Sequence, residues 1–196
     1  DGSPLADLLD LDRVAVVGHS AGARAAYLTA SSDDRIDAFV SYSVGLSQGP
    51  DDAATEAPPV PEVPGMVMLG EADGIIPADT SRAVYEGMDT PKYLVEIADA
   101  GHLVFSDICL IGRDQGGLVA LVREAGLDLP DQLLRLASDG CEDDALLPSK
   151  AFPAIDHFSV AFLRSALGID EEPVGLDAET AAMFTTADVT FESDPG

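Results

Sequence analysis

Five residues near the start of the chain, Gly18-His19-Ser20-Ala21-Gly22, set a hydroxyl between two glycines. A serine hydroxyl is too weak an acid to attack a carbonyl unaided. It needs a base to take its proton and a third group to orient that base. The pentapeptide alone is a weak signal, so the rest of the chain has to supply the partners. Only three histidines exist, His19, His102 and His157. His19 lies inside the turn and His157 inside a helical stretch, which leaves His102, in "ADAGHLVF", as the base. A carboxylate should lie between Ser20 and His102 in the chain, and "MLGEADGIIP" offers both Glu71 and Asp73. The N–H of Ala21, opening a helix, would face a developing oxyanion.

Such residues converge only if strands and helices alternate. Arg13 to Val17 is an apolar, β-branched-rich run with the character of a strand buried on both faces, and "ARAAYLTASS" after Gly22 is helical. "RIDAFVSYSVG", "GMVMLGEADG" and "KYLVEIADAGH" give three more strands, with a helix over "ADTSRAVYEGM" capped around Asp79 or Thr80. "LADLLDL" (5–11) reads as a short helix and residues 48–64 as a Pro- and acid-rich surface loop. Residues 113–150, with helical stretches "GGLVALVREAG" and "PDQLLRLASDG", form an insertion between the last of these strands and an amphipathic helix at 151–168. The pattern predicts an α/β fold, a mostly parallel sheet with helices on both faces. Residues 1–170 would belong to one domain. Residues 171–196 would be a loose acidic tail, with "DVTFES" as an alternative edge strand. A dinucleotide-binding turn would need G-x-G-x-x-G, and "GHSAGA" lacks that spacing.

Composition bounds the partners. The 36 acidic residues against 10 basic give a formal charge of −26, which repels phosphate backbones and anionic headgroups. Nucleic acid is therefore not an expected partner. Asp-rich acidity also fits a protein kept soluble in high salt. No apolar run reaches 18 residues, so no transmembrane segment is expected. The acidic runs show no Ca²⁺-loop spacing, and the two cysteines, Cys109 and Cys141, lie in no CxxC or Cys/His cluster, so neither metal nor cofactor is expected. A Cys109–Cys141 disulfide would stabilise by roughly 3–4 kcal/mol and imply an oxidising, secreted or periplasmic setting. The alternative is two buried thiols.

"GHSAG", "GEADGIIP", "AGHLVFSD" and the "FSVAFLRSALG" helix together resemble the α/β-hydrolase superfamily. The resemblance is to the group of dienelactone hydrolases, platelet-activating-factor acetylhydrolases and cutinase-like polyester hydrolases, and it covers about 5–168. It implies the fold named above and a Ser20–His102–Asp73 triad, the acid falling on Asp73 through G-x-x-D-x-x-x-P, with Glu71 as competitor. It also implies a cofactor-free serine hydrolase that cleaves carboxylic esters through an acyl-enzyme. Its alternatives are a prolyl-oligopeptidase-type peptidase and an inactive hydrolase-like fragment or binding protein. Two departures bear on substrate and completeness. The family sheet has about eight strands and this chain would start just before the fifth, so an N-terminal half, with the second oxyanion donor, would be missing and Arg13–Val17 would be an exposed edge. There is no Trp for the aromatic clamp of polyester hydrolases, only Tyr42 nearby, which favours a small soluble or lipid-like ester.

Overall fold

The computed structural model describes residues 8–47 and 58–196. The strands are β1 (Ala15–His19), β2 (Ala38–Tyr42), β3 (Gly65–Gly70), β4 (Lys92–Ile97) and β5 (Val189–Asp194). The helices are α1 (Ala21–Ala30), α2 (Ala78–Glu86), α3 (Gly117–Glu124), α4 (Asp131–Leu136), α5 (Pro148–Ala166) and the single turn α6 (Ala178–Ala181). Residues 5–7 of the helix expected at 5–11, and residues 48–57 of the expected loop, lie outside the described residues; residues 9–11 are not helical.

The sheet runs β1-β2-β3-β4-β5. The first four strands are parallel, and β5 lies antiparallel to β4 with Val95 opposite Phe191. Side chains alternate across it because the strand period is two. Ala38, Val40, Met66, Met68, Val95 and Ile97 face α5, while Phe39, Val67, Leu69 and Leu94 face α1 and α2. On α5 the buried positions Ala151, Ala154, Ile155, Phe158 and Phe162 recur at three- and four-residue spacing, one stripe of a helix. Phe158 and Phe162 are fully buried, each contributing roughly 1.5–3 kcal/mol of transfer free energy.

Several expectations shift. The first strand begins at Ala15 and is only half buried: Val17 is 48% exposed and β1 pairs with β2 alone among the described residues. An edge strand has one neighbour and solvent on the other side, so the apolar run does not make it a doubly covered strand. Helix α2 starts at Ala78 after Pro77, with no side-chain cap; Asp79 sits in its first turn instead. Helix α5 starts three residues early, at Pro148, whose missing N–H costs nothing in a first turn. The tail is not loose. Its last strand takes the alternative position, with Val189 buried and Phe191 stacked on Phe158 at 5.2 Å. His157 Nε2 donates to the Gly175 carbonyl at 3.0 Å, and its ring packs edge-on to Phe158.

Candidate active site

Ser20, Asp73 and His102 each follow the C-terminal end of a parallel strand, β1, β3 and β4 respectively. Parallel strands end on one side of the sheet, so the loops that leave them share a rim. At that rim Ser20 Oγ lies 2.9 Å from His102 Nε2, and His102 Nδ1 lies 2.8 Å from Asp73 Oδ2. The side chains of Asp73 and His102 are each 1% exposed. Glu71 points away: it is exposed and lies 3.9 Å from the Arg82 guanidinium.

The turn that presents Ser20 is strained. Ser20 has φ 58° and ψ −117°, a region that L-residues rarely occupy, so the surroundings must hold it there. Its N–H donates to the Tyr42 carbonyl at 2.9 Å, and its carbonyl accepts from Arg24 N–H in the first turn of α1. Ala21 is the first residue of α1, where helix geometry leaves N–H groups without intrahelical partners. The two glycines differ. A Cβ on Gly18 would sit 2.1 Å from the Gly22 carbonyl oxygen, whereas a Cβ on Gly22 would meet nothing within 4 Å. Only Gly18 is required by close packing of strand and helix.

Asp73 holds itself in place through an Asx-type turn: Oδ1 accepts from the N–H groups of Ile75 at 2.8 Å and Ile76 at 2.7 Å. Burial pushes its carboxyl up, but the bond from His102, the Ile76 N–H and the nearby Ser43 hydroxyl outweigh it, and the group sits below its ordinary value. Ser43 Oγ is buried and makes no hydrogen bond of ordinary geometry among the described residues. His102 is gripped along its main chain as well. Its N–H donates to Asp139 Oδ1 at 2.6 Å, and its carbonyl accepts from His19 Nε2 at 2.9 Å. Burial and the neighbouring His102 ring, 4.6 Å away between centroids, lower the His19 pKa, and its Nε2–H donates this bond. Neither His19's bond nor Asp139 was foreseen; the only outward sign of Asp139 is its position two residues before Cys141.

Tyr42, the one aromatic near the position of the absent Trp, stacks on Phe105 at 5.1 Å, and its hydroxyl meets Ser159 Oγ at 2.7 Å. It is committed to packing. Asp107 is exposed, and its carbonyl caps a short 3-10 turn by accepting from Leu110 N–H. Cys109 and Cys141 form a disulfide, with Cα atoms 4.9 Å apart. A cavity of about 520 Å³ lies against that bridge, lined by Ile108, Arg113, Leu118, Val119 and Ser138 among others. None of Ser20, Asp73 or His102 lines it, so cavity size does not locate the chemistry here. Among the described residues no group of three or more His, Cys, Asp or Glu could hold a metal, and no helix is long and apolar enough to cross a membrane.

A mostly parallel sheet with helices on both faces, a serine at a strained strand-to-helix turn and a histidine after a later strand define the α/β-hydrolase fold. Within that class, the profile of the dienelactone hydrolase family matches residues 7–106, and the chain belongs to that family. Among solved structures, a ferulic acid esterase from Streptomyces cinnamoneus superposes with a TM-score of 0.60 at 21% identity. That match covers 93% of this chain and 47% of the esterase's. The present chain thus spans about half the length of that protein, and at this identity the likeness is one of fold. No curated protein matches the sequence.

Proposed function

We propose that the protein is a serine hydrolase of carboxylic esters, with Ser20 as nucleophile, His102 as base and Asp73 as the residue that orients it. The observation that carries the reading is the unbroken hydrogen-bond path from Ser20 Oγ through both ring nitrogens of His102 to Asp73 Oδ2. His102 Nε2 takes the hydroxyl proton as Oγ adds to the carbonyl carbon, and returns it to the leaving alcohol as the acyl-enzyme forms. Asp73 keeps the Nδ1 proton on its own side, so that Nε2 is free to accept. The Ala21 N–H faces the oxyanion. A water deprotonated by His102 then releases the acid. The scheme calls for no metal and no cofactor.

A second oxyanion donor belongs, in this reading, to a further stretch of hydrolase domain placed on the open edge of β1. The substrate is a small soluble or lipid-like ester; the packing of Tyr42 and the lack of Trp disfavour a polymer. The disulfide fits an oxidising compartment, and we place the protein outside the cytoplasm.

Covalent labelling by a fluorophosphonate, with the Ser20→Ala variant alongside, tests the proposal. Labelling of the parent chain that vanishes in Ser20→Ala, together with a fall in p-nitrophenyl ester hydrolysis of at least about 10³-fold, is the expected result. A folded chain that the probe never labels, even when extended upstream, would leave the non-catalytic binding protein as the better reading.

A further inference from the structure

Asp139 stands in the insertion between β4 and α5, far along the chain from the proposed triad, yet its polar atoms end on the loops that carry two triad members. Its Oδ1 accepts from the N–H of His102 at 2.6 Å and from the N–H of Gly74, next to Asp73, at 3.2 Å. Its own carbonyl accepts from Leu103 N–H at 3.1 Å. One carboxylate oxygen is therefore shared between the acid's loop and the base's loop.

The approach is close enough to restrict the sequence. A Cβ on Gly74 would stand 2.3 Å from Asp139 Oδ2, and a Cβ on Gly101 would stand 2.4 Å from Gly140 Cα. Gly140 has φ +83°, which favours glycine independently. Directly after it, Cys141 is bonded to Cys109, which lies just past the His102 turn. The tripeptide Asp139-Gly140-Cys141 is thus tied to the base's segment at both ends, by a carboxylate and by a disulfide.

The two loops need this support unequally. Asp73 already has the Ile75 and Ile76 N–H groups from its own turn. The His102 N–H has no such local bond and donates to Asp139; its carbonyl, which opens a 3-10 turn, also accepts from His19, so two side chains distant in the chain hold this main chain.

We propose that Asp139 is a positioning residue of the active site. By bonding both loops through one oxygen it sets their spacing, so that His102 reaches Asp73 with Nδ1 and Ser20 with Nε2 together. The inference rests on the serine-hydrolase reading above. A charge-assisted bond to a backbone N–H is a strong restraint, and a misplacement of about 1 Å in a catalytic group can cost on the order of 10²-fold in rate.

The test uses the whole chain carrying Asp139→Ala or Asp139→Asn. For p-nitrophenyl butyrate, Asp139→Ala should lower kcat about 10- to 100-fold while KM stays within about threefold. Asp139→Asn keeps an acceptor oxygen and should recover most of that loss. Amide exchange followed by NMR reads the restraint without any need for activity: the His102 and Gly74 amides should exchange at least about tenfold faster in Asp139→Ala, with the β3 amides of Val67 and Leu69 unchanged. Exchange and kcat equal to those of the parent chain would overturn the proposal. So would equal losses in the Ala and Asn variants with faster exchange throughout the sheet, the mark of general unfolding. If the parent chain shows no Ser20-dependent turnover, it is the hydrolase reading that fails, and the two amides still decide whether Asp139 holds the loops.

Discussion

The two halves of the candidate site are held by different means. Ser20 is held mainly by its sequence neighbours, a strand, a strained turn and a helix within about a dozen residues, with one bond from its N–H to the Tyr42 carbonyl on the next strand. His102 is held in addition by His19, the residue before the nucleophile, and by Asp139 from the insertion. Local geometry does most to hold the nucleophile, while the base leans on side chains distant in the chain. The nucleophile's side should therefore respond to single steric changes, and the base's side to the loss of distant ties.

The largest effect should come from the local side. Gly18→Ala places a methyl group 2.1 Å from a backbone oxygen that cannot swing away, and should cost roughly 3 kcal/mol or more in urea unfolding, while Gly22→Ala, which meets open space, should cost well under half of that. Equal costs would mean that the turn relaxes and the local description is wrong.

Removing the distant tie comes next. Replacing Cys109 and Cys141 together by Ser should lower stability by about 2–4 kcal/mol. Because the bridge adjoins Asp139, ester turnover should fall too under conditions where the variant is still folded, by about tenfold. A variant that loses stability but keeps its full kcat would separate the disulfide from the base.

The smallest effect is on pH dependence. His19 sits below its ordinary 6.5 when folded, so the unfolded chain takes up a proton near 6.5 that the folded chain refuses. Stability from this group is whole above 6.5 and is lost as the pH falls through the folded value. Asp73, also lowered, adds a second loss as the pH drops below its ordinary 3.8. Urea midpoints measured from neutral pH downward should show both declines, and His19→Gln should flatten only the upper one.

The same contrast explains what could be read in advance. Ser20 sits in a contiguous pattern whose every part is local, and the alternation of strands and helices around it follows from hydrophobic period alone. The acid needed more. Glu71 and Asp73 are two residues apart after the same strand, and only the resemblance to G-x-x-D-x-x-x-P, then the geometry, separated them. Asp139 left no periodic trace, because a lone carboxylate in a chain with 36 acidic residues looks like any solvated charge. The tail misled for a related reason. Val189 and Phe191 alternate with Thr190 and Glu192 as an edge strand should, but the pattern is short and set among acids, so its period is faint.

That final strand has a bearing on how the molecule is assembled. On a ribosome, β1 to β4 emerge in order and each can lie beside the one before it. The outer edge of β4, with Leu94, Val95 and Ile97, has no cover until residues 189–194 are made. Between the synthesis of β4 and that of β5 the nascent protein therefore carries an open apolar strand edge, the kind of surface on which chains associate. Its heavy negative charge, already present on the emerging segments, would keep neighbouring nascent chains apart during that interval.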